Sequence, residues 1–195
     1  MSVDGAEDDA PQAAQDLHRL GPTENDVVIC VAASGSTPYV LGAIQHARMC
    51  GALTIGIANN PGSPVAALAE IGITLATGAE VISGSTRLKA GTAQKIALNT
   101  FSSALMVRLH KVFGNLMVDL RASNSKLIAR AERLTMLATG CTIEQARETL
   151  PLCGWHIKTA IVALERKVDV ATADRLLDAA DGDTWAALDA PLPPP

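Results

Sequence analysis

Aromatic side chains are scarce: two Trp, one Tyr and two Phe are 3% of 195 residues. A core must therefore be packed from Ala, Val, Ile and Leu, within a hydrophobic share of 48%. Small and branched aliphatics suit buried parallel strands covered by Ala-rich helices. There is no basic block and the formal net charge is −4, which argues against nucleic-acid binding through a broad electrostatic footprint. A bound phosphate would have to be held by local dipoles and a few cations. Cys30, Cys50, Cys141 and Cys153 form no C-x-x-C pair, and His18, His46, His110 and His156 are scattered. No metal or organic cofactor is expected, and the thiols read as reduced and mostly buried. No N-terminal apolar segment resembles a signal peptide, and no run is long enough to cross a bilayer. A cytoplasmic chain of one domain with a small appendage is expected.

What is present is a strand–helix alternation. Residues 8–20 space Leu17 and Leu20 as a short amphipathic helix does. Residues 26–32 are a short, continuous, β-branched apolar run, the pattern of a buried strand. The turn Ala33-Ser-Gly-Ser-Thr-Pro38 follows, with Pro38 suited to the first turn of a helix running to about Cys50. Residues 53–58 repeat the strand pattern, then come the Asn59-Asn-Pro-Gly62 turn, a short helix near 64–69, and a third strand at 71–76. Strands alternating with helices predict a parallel sheet with right-handed crossovers. Ligands of such sheets sit at the carboxyl ends of the strands, here the segments starting near Ala33, Asn59 and Thr77. Beyond Gly91 the pattern becomes helical: 91–110, 123–138, then about 142–150, 154–165 and 170–180. Thr142-Ile-Glu-Gln145 reads as a capping box. Asn115, Asp119, Asn124 and Lys126 can cap helices or cross a dimer interface, and local sequence leaves both open.

Three segments can carry chemistry. Ser34, Gly35, Ser36 and Thr37 lie between a strand and a helix, where backbone amides and a positive dipole end favour phosphate. The polar segment 78–94 follows the third strand on the same side of the sheet, so the two are expected to wall one cleft. The acidic start Asp4-Gly-Ala-Glu-Asp-Asp9 reads locally as complementation of a helix dipole. Three strands also make a thin sheet, and the first is apolar throughout, as if paired on both edges.

Ala32-Ala-Ser-Gly-Ser-Thr-Pro-Tyr39 resembles the Ser-x-Ser-Gly-x-Thr phosphate loop of the sugar-isomerase (SIS) fold, with Ala32 in place of the first Ser. Gly78-Ala-Glu-Val-Ile-Ser-Gly-Ser-Thr-Arg-Leu-Lys-Ala-Gly-Thr-Ala-Gln-Lys95 is more specific. With Lys111-Val-Phe-Gly-Asn-Leu-Met-Val-Asp119 and Asn59-Asn-Pro-Gly-Ser63, it is similar to the N-acetylmuramic acid 6-phosphate etherases, from about Gly5 to about Ala180. The resemblance implies a parallel-sheet SIS fold over residues 1–122, then a helical region at 123–181 with a UBA-like three-helix module, and a disordered tail at 182–195. The strands read here would be the family's third to fifth. Its first two strands, a Gly-rich loop and a Glu that protonates departing lactate would have no counterpart.

By the same resemblance Glu7, in Asp4-Gly-Ala-Glu-Asp8, takes a catalytic role. Ser34, Gly35, Ser36 and Thr37 would bind the phosphate, with Glu80, Ser85 and Thr86 in the sugar pocket. The implied reaction cleaves the D-lactyl ether of a phosphorylated amino sugar in cell-wall recycling, by acid–base chemistry, in a homodimer with no metal or cofactor. With one carboxylate of two, the chain alone is expected to be inactive and poorly soluble. The alternatives are a non-catalytic sugar-phosphate-binding regulator and, less favoured, a sugar-phosphate isomerase.

Overall fold

The computed structural model describes residues 5–192. The chain forms two compact units that divide between Thr100 and Phe101. The first unit opens with a 3-10 turn, Ala6–Asp8, and helix α1, Ala10–Leu20. Strand β1 is Val27–Ala32, helix α2 is Pro38–Met49, and strand β2 is Leu53–Ala58. Helix α3, Pro64–Leu68, and strand β3, Ile71–Thr74, precede the long helix α4, Lys89–Arg108, which contains the division.

The strands pair in the order β1-β2-β3. Both ladders are parallel, with Val27 opposite Leu53 and Ile55 opposite Ile71. The expected alternation therefore holds, with β2 in the centre. Cys30, Ala32, Ile44, Val65 and Ala69 make the core, with Val28, Val40 and Leu41 packed on it. Two glycines let α3 lie close on the sheet. A Cβ on Gly56 would stand 2.2 Å from the Val65 carbonyl oxygen, and one on Gly72 would stand 2.1 Å from that of Ala66. Among the described residues β1 pairs with β2 alone, and Val28, Ile29 and Val31 are only half-buried. Helix α4 forms where expected, but Ala90 is its one buried residue, and Ile96, Phe101, Leu105 and Val107 are exposed.

The second unit adds a short antiparallel hairpin, β4 (Val112–Phe113) and β5 (Leu116–Met117), which the sequence reading did not anticipate. Gly114, at φ 58°, supplies the positive φ that a two-residue hairpin turn requires. Helices α5 (Ser125–Thr139), α6 (Ile143–Leu152), α7 (Ile157–Arg166) and α8 (Val170–Ala179) follow. Asn124 caps α5, and Thr142 with Gln145 forms the expected capping box on α6. Asp119 pairs with Lys111 instead of capping a helix. Phe113, Val118 and Leu120 enter the same core as Leu150, Ile157 and Ile161. That packing draws residues 112–120 into the second unit and moves the division ahead of the expected boundary at 122. All four cysteines are free. Burial, with Asp174 adding to it, pushes the Cys153 thiol up to about 11.

The expected disordered tail at 182–195 is corrected by a further helix, α9, Thr184–Asp189. Asp183 caps it through the amides of Trp185 and Ala186. Ala187 is fully buried, and Trp185 stacks on Phe113 with ring centroids 4.2 Å apart. Arg166 donates to the carbonyls of Ala187, Leu188 and Ala190. An apolar face and a capping aspartate hold this segment against α7 and α8. Residues 193–195 lie outside the described residues.

Candidate functional site

The carboxyl end of β1 runs into residues 33–37, and three successive carbonyls there are tied down. Ala33 O accepts from the Asn59 amide at 3.1 Å. Ser34 O accepts from Asn60 Nδ2 at 3.1 Å, and Gly35 O accepts from the Val65 amide at 2.9 Å. With the carbonyls engaged on one side, the peptide amides are turned elsewhere. Among the described residues no acceptor bonds the Gly35 or Thr37 amide. Thr37 stands at the N-cap of α2 without using its side chain, and Pro38 occupies the first turn. Ser34 and Ser36 are exposed and only weakly bonded to each other, at 3.4 Å. Amides, hydroxyls and the positive end of a twelve-residue helix thus converge without an internal anion.

Gly35 is what permits this geometry. Its φ is 72°, and a Cβ there would lie 2.3 Å from Ser63 Cβ and 2.9 Å from Ala58 Cβ. The Ser63 hydroxyl itself is buried and has no partner among the described residues.

The segment after β3 forms the opposite wall of a cavity of about 300 Å³ whose lining includes Ser34, Asn59, Asn60, Thr77, Glu80 and Thr86. Among the described residues no lysine or arginine lines it, so a bound phosphate would rest on dipoles and hydroxyls. Glu80 caps α4: its two carboxylate oxygens accept from the amides of Lys89 at 2.9 Å and Ala90 at 3.0 Å. The Ala90 amide, then the Lys89 amide, hold its carboxyl below the ordinary range. It is therefore an ionised acceptor at neutral pH, with lone pairs left over for a hydroxyl in the cavity.

Of the residues singled out from sequence, Ser34, Glu80 and Thr86 share this cavity, and Gly35, Ser36 and Thr37 belong to the loop beside Ser34. Ser85 is half-buried, does not line the cavity, and donates its amide to Ile82 O at 3.0 Å. Glu7 stands apart from the cavity lining, exposed on the 3-10 turn Ala6–Asp8, which packs against α2. Asp4, the first residue of its motif, lies outside the described residues. Sequence reading treated Asn59 and Asn60 only as a turn and a motif. Their place at the end of the central strand was the available signal.

A larger cavity of about 490 Å³ lies in the second unit, lined by Lys111, Asp119, Lys158 and Asp174 among others. Its polar groups are largely satisfied among themselves. Lys111 pairs with Asp119, Lys158 donates to Gly182 O, and the Thr159 hydroxyl donates to Asp174. The smaller cavity, with its unoccupied donors, is the stronger site. Among the described residues, no group of three or more His, Cys, Asp or Glu is placed to hold a metal ion, and no helix is long and apolar enough to cross a membrane.

Residues 9–104 match the family model of the SIS domain. Over 182 residues the chain is 54% identical to an N-acetylmuramic acid 6-phosphate etherase of Deinococcus radiodurans, covering 93% of this chain and 60% of that protein. An etherase of the same name from Streptomyces avermitilis is 50% identical over 187 residues, 96% of this chain and 60% of the relative. One from Escherichia coli is 48% identical over 188 residues, 96% of this chain and 63% of the relative. The chain thus spans about 60% of the length of these curated relatives.

Proposed function

We propose that the chain is a member of the N-acetylmuramic acid 6-phosphate etherase family of SIS-domain proteins, to which its relatives point, and that it binds a phosphorylated amino sugar and takes part in cleaving its D-lactyl ether. The products are N-acetylglucosamine 6-phosphate and D-lactate. The observation that carries this reading is the loop 33–37, whose carbonyls are bound from behind while its amides and hydroxyls are left for an anion. Ser34, Gly35, Ser36 and Thr37 take the phosphate. Glu80 and Thr86 face the sugar from the other wall, and Ser85 is bonded through its amide to Ile82 O within the same loop.

Phosphate held away from the reacting carbons supplies positioning energy. In the open-chain aldehyde the proton on the second carbon is acidified by the neighbouring carbonyl. A carboxylate removes it, lactate leaves from the third carbon with a proton from an acid, and water adds to the resulting alkene. Two carboxyl groups of different pKa suit this division. Glu7 keeps the carboxylate role that its motif suggests, on a turn packed against the helix that follows the phosphate loop. The enzyme works as a cytoplasmic homodimer without metal or cofactor. Its C-terminal helices form a module like ubiquitin-associated domains.

Incubating the purified chain with N-acetylmuramic acid 6-phosphate tests the reading. Release of D-lactate that falls on Glu7→Gln supports it and overturns the expectation that one carboxylate of two leaves the chain inactive. Binding without turnover agrees with that expectation and with a regulator alike, and a ketose phosphate as product assigns the chain to an isomerase instead.

A further inference from the structure

Strand β2 is central, so the residues at its carboxyl end stand between the loops leaving β1 and β3. These residues are Asn59 and Asn60, in the bend that follows β2, and their side chains bond to opposite walls. Asn60 reaches the β1 side, where its Nδ2 donates to Ser34 O at 3.1 Å. Asn59, only 5% exposed, turns to the other wall. Its Nδ2 donates to Leu75 O at 3.1 Å and reaches Ala90 O at 3.5 Å. Its Oδ1 accepts from Gln94 Nε2 at 2.8 Å. Leu75 is where the chain leaves β3, and Ala90 lies in the first turn of α4. One buried amide therefore ties together both ends of the loop that carries Glu80 and Thr86.

We propose that Asn59 and Asn60 are positioning residues that set the gap between the two walls of the sugar-phosphate cavity. The inference rests on the reading of that cavity as the substrate site. A buried amide must have its donors and acceptor matched, and Asn59 matches them to three points on one wall. Aspartate would turn a carboxylate toward two carbonyl oxygens, and leucine would leave Gln94 and Leu75 O without their partner. Asn60 performs the corresponding task for the phosphate loop alone. Two adjacent side chains just past the end of β2 thus place the phosphate donors relative to Glu80 and Thr86, without forming a bond to the reacting carbons.

Amide hydrogen exchange on the full chain separates the two tasks. Loss of a buried bond speeds local exchange by about 10- to 100-fold. Asn59→Leu is expected to do this in residues 76–90 while leaving the Val65 amide, which holds the phosphate loop through Gly35 O, within about twofold. Asn60→Ala is expected to do the reverse. Gln94→Leu leaves β2 untouched and is expected to loosen the same wall as Asn59→Leu, more weakly, which keeps the test valid if Asn59→Leu does not fold. A uniform rise across the first unit, or no change at either place, overturns the proposal. Calorimetric titration with N-acetylglucosamine 6-phosphate is the second readout, with affinity expected to fall about tenfold in Asn59→Leu and in Asn60→Ala at unchanged stoichiometry. If the unsubstituted chain does not bind this sugar, the functional reading fails, and the exchange pattern still decides whether the two asparagines position the walls.

Discussion

Replacing Gly35 by alanine puts a methyl group where Ser63 and Ala58 already are. The new Cβ would stand 2.3 Å from Ser63 Cβ, 2.5 Å from Ser63 Oγ and 2.9 Å from Ala58 Cβ. Neither Cβ can swing aside, because each is fixed to backbone that the loop itself holds through the amides of Asn59 and Val65. Two costs add. A side chain at φ 72° costs about 1–2 kcal/mol, and forced overpacking costs about 1–3 kcal/mol more. The sum, about 2–5 kcal/mol, is a large part of the 5–15 kcal/mol that holds an ordinary domain. Urea titration is the assay, with the midpoint expected to fall by roughly 1–2.5 M for a slope near 2 kcal/mol/M. Gly21→Ala is the control: its φ is 62° and nothing lies within 4 Å of the added Cβ, so only the conformational cost of about 1–2 kcal/mol applies. Gly35→Ala combined with Ser63→Gly removes the two closest contacts and should recover part of the difference. If Gly35→Ala and Gly21→Ala lose the same stability, the steric argument is wrong and the loop does not rest on Ser63 as described.

Two further outcomes are expected. Glu80 and Asp16 have carboxyls held below the ordinary range, Glu80 by the Ala90 and Lys89 amides and Asp16 first by Gln12, then by Tyr39. Groups depressed in the folded state stabilise it above their unfolded pKa, about 4, and that stabilisation is lost as pH falls through the lowered folded values. Urea midpoints should therefore hold level from pH 7 to about 5 and fall below about 4, with a shallower fall in Glu80→Gln. A midpoint that rises on acidification contradicts the capping role. Ending the chain after Gly182 removes buried Ala187, the ring on Phe113 and the carbonyls bound by Arg166. The loss should be about 2–4 kcal/mol, or a melting midpoint lower by roughly 10 °C or more. An unchanged midpoint would show that α9 adds nothing.

Much of the fold follows from local chemistry. Apolar β-branched runs at 27–32 and 53–58 specify strands because their side chains suit a pleated, covered surface. Thr142 and Gln145 specify a helix start because each satisfies an amide of the other. Such signals lie within a few residues of each other, so they can be read before the chain folds. The hairpin at 112–117 and helix α9 were missed for the opposite reason. Two-residue strands carry no period, and α9 gains its order from Phe113 and Arg166, far away in the chain.

The site divides along the same line. Sequence by itself determined the donors of residues 34–37, because a strand, a glycine and a helix start in succession specify that turn. It also determined that Glu80 and Thr86 belong to a polar loop on the same side of the sheet. Only the tertiary structure decided that Glu80 spends its carboxylate on the amides of α4, nine and ten residues on. Only it decided that Gly35 must lack a side chain because of Ser63, and that Asn59 and Asn60 hold opposite walls. These facts depend on which segments become neighbours once β2 takes the centre of the sheet. No residue's own preference carries that information, because each bond joins positions the chain brings together only by folding.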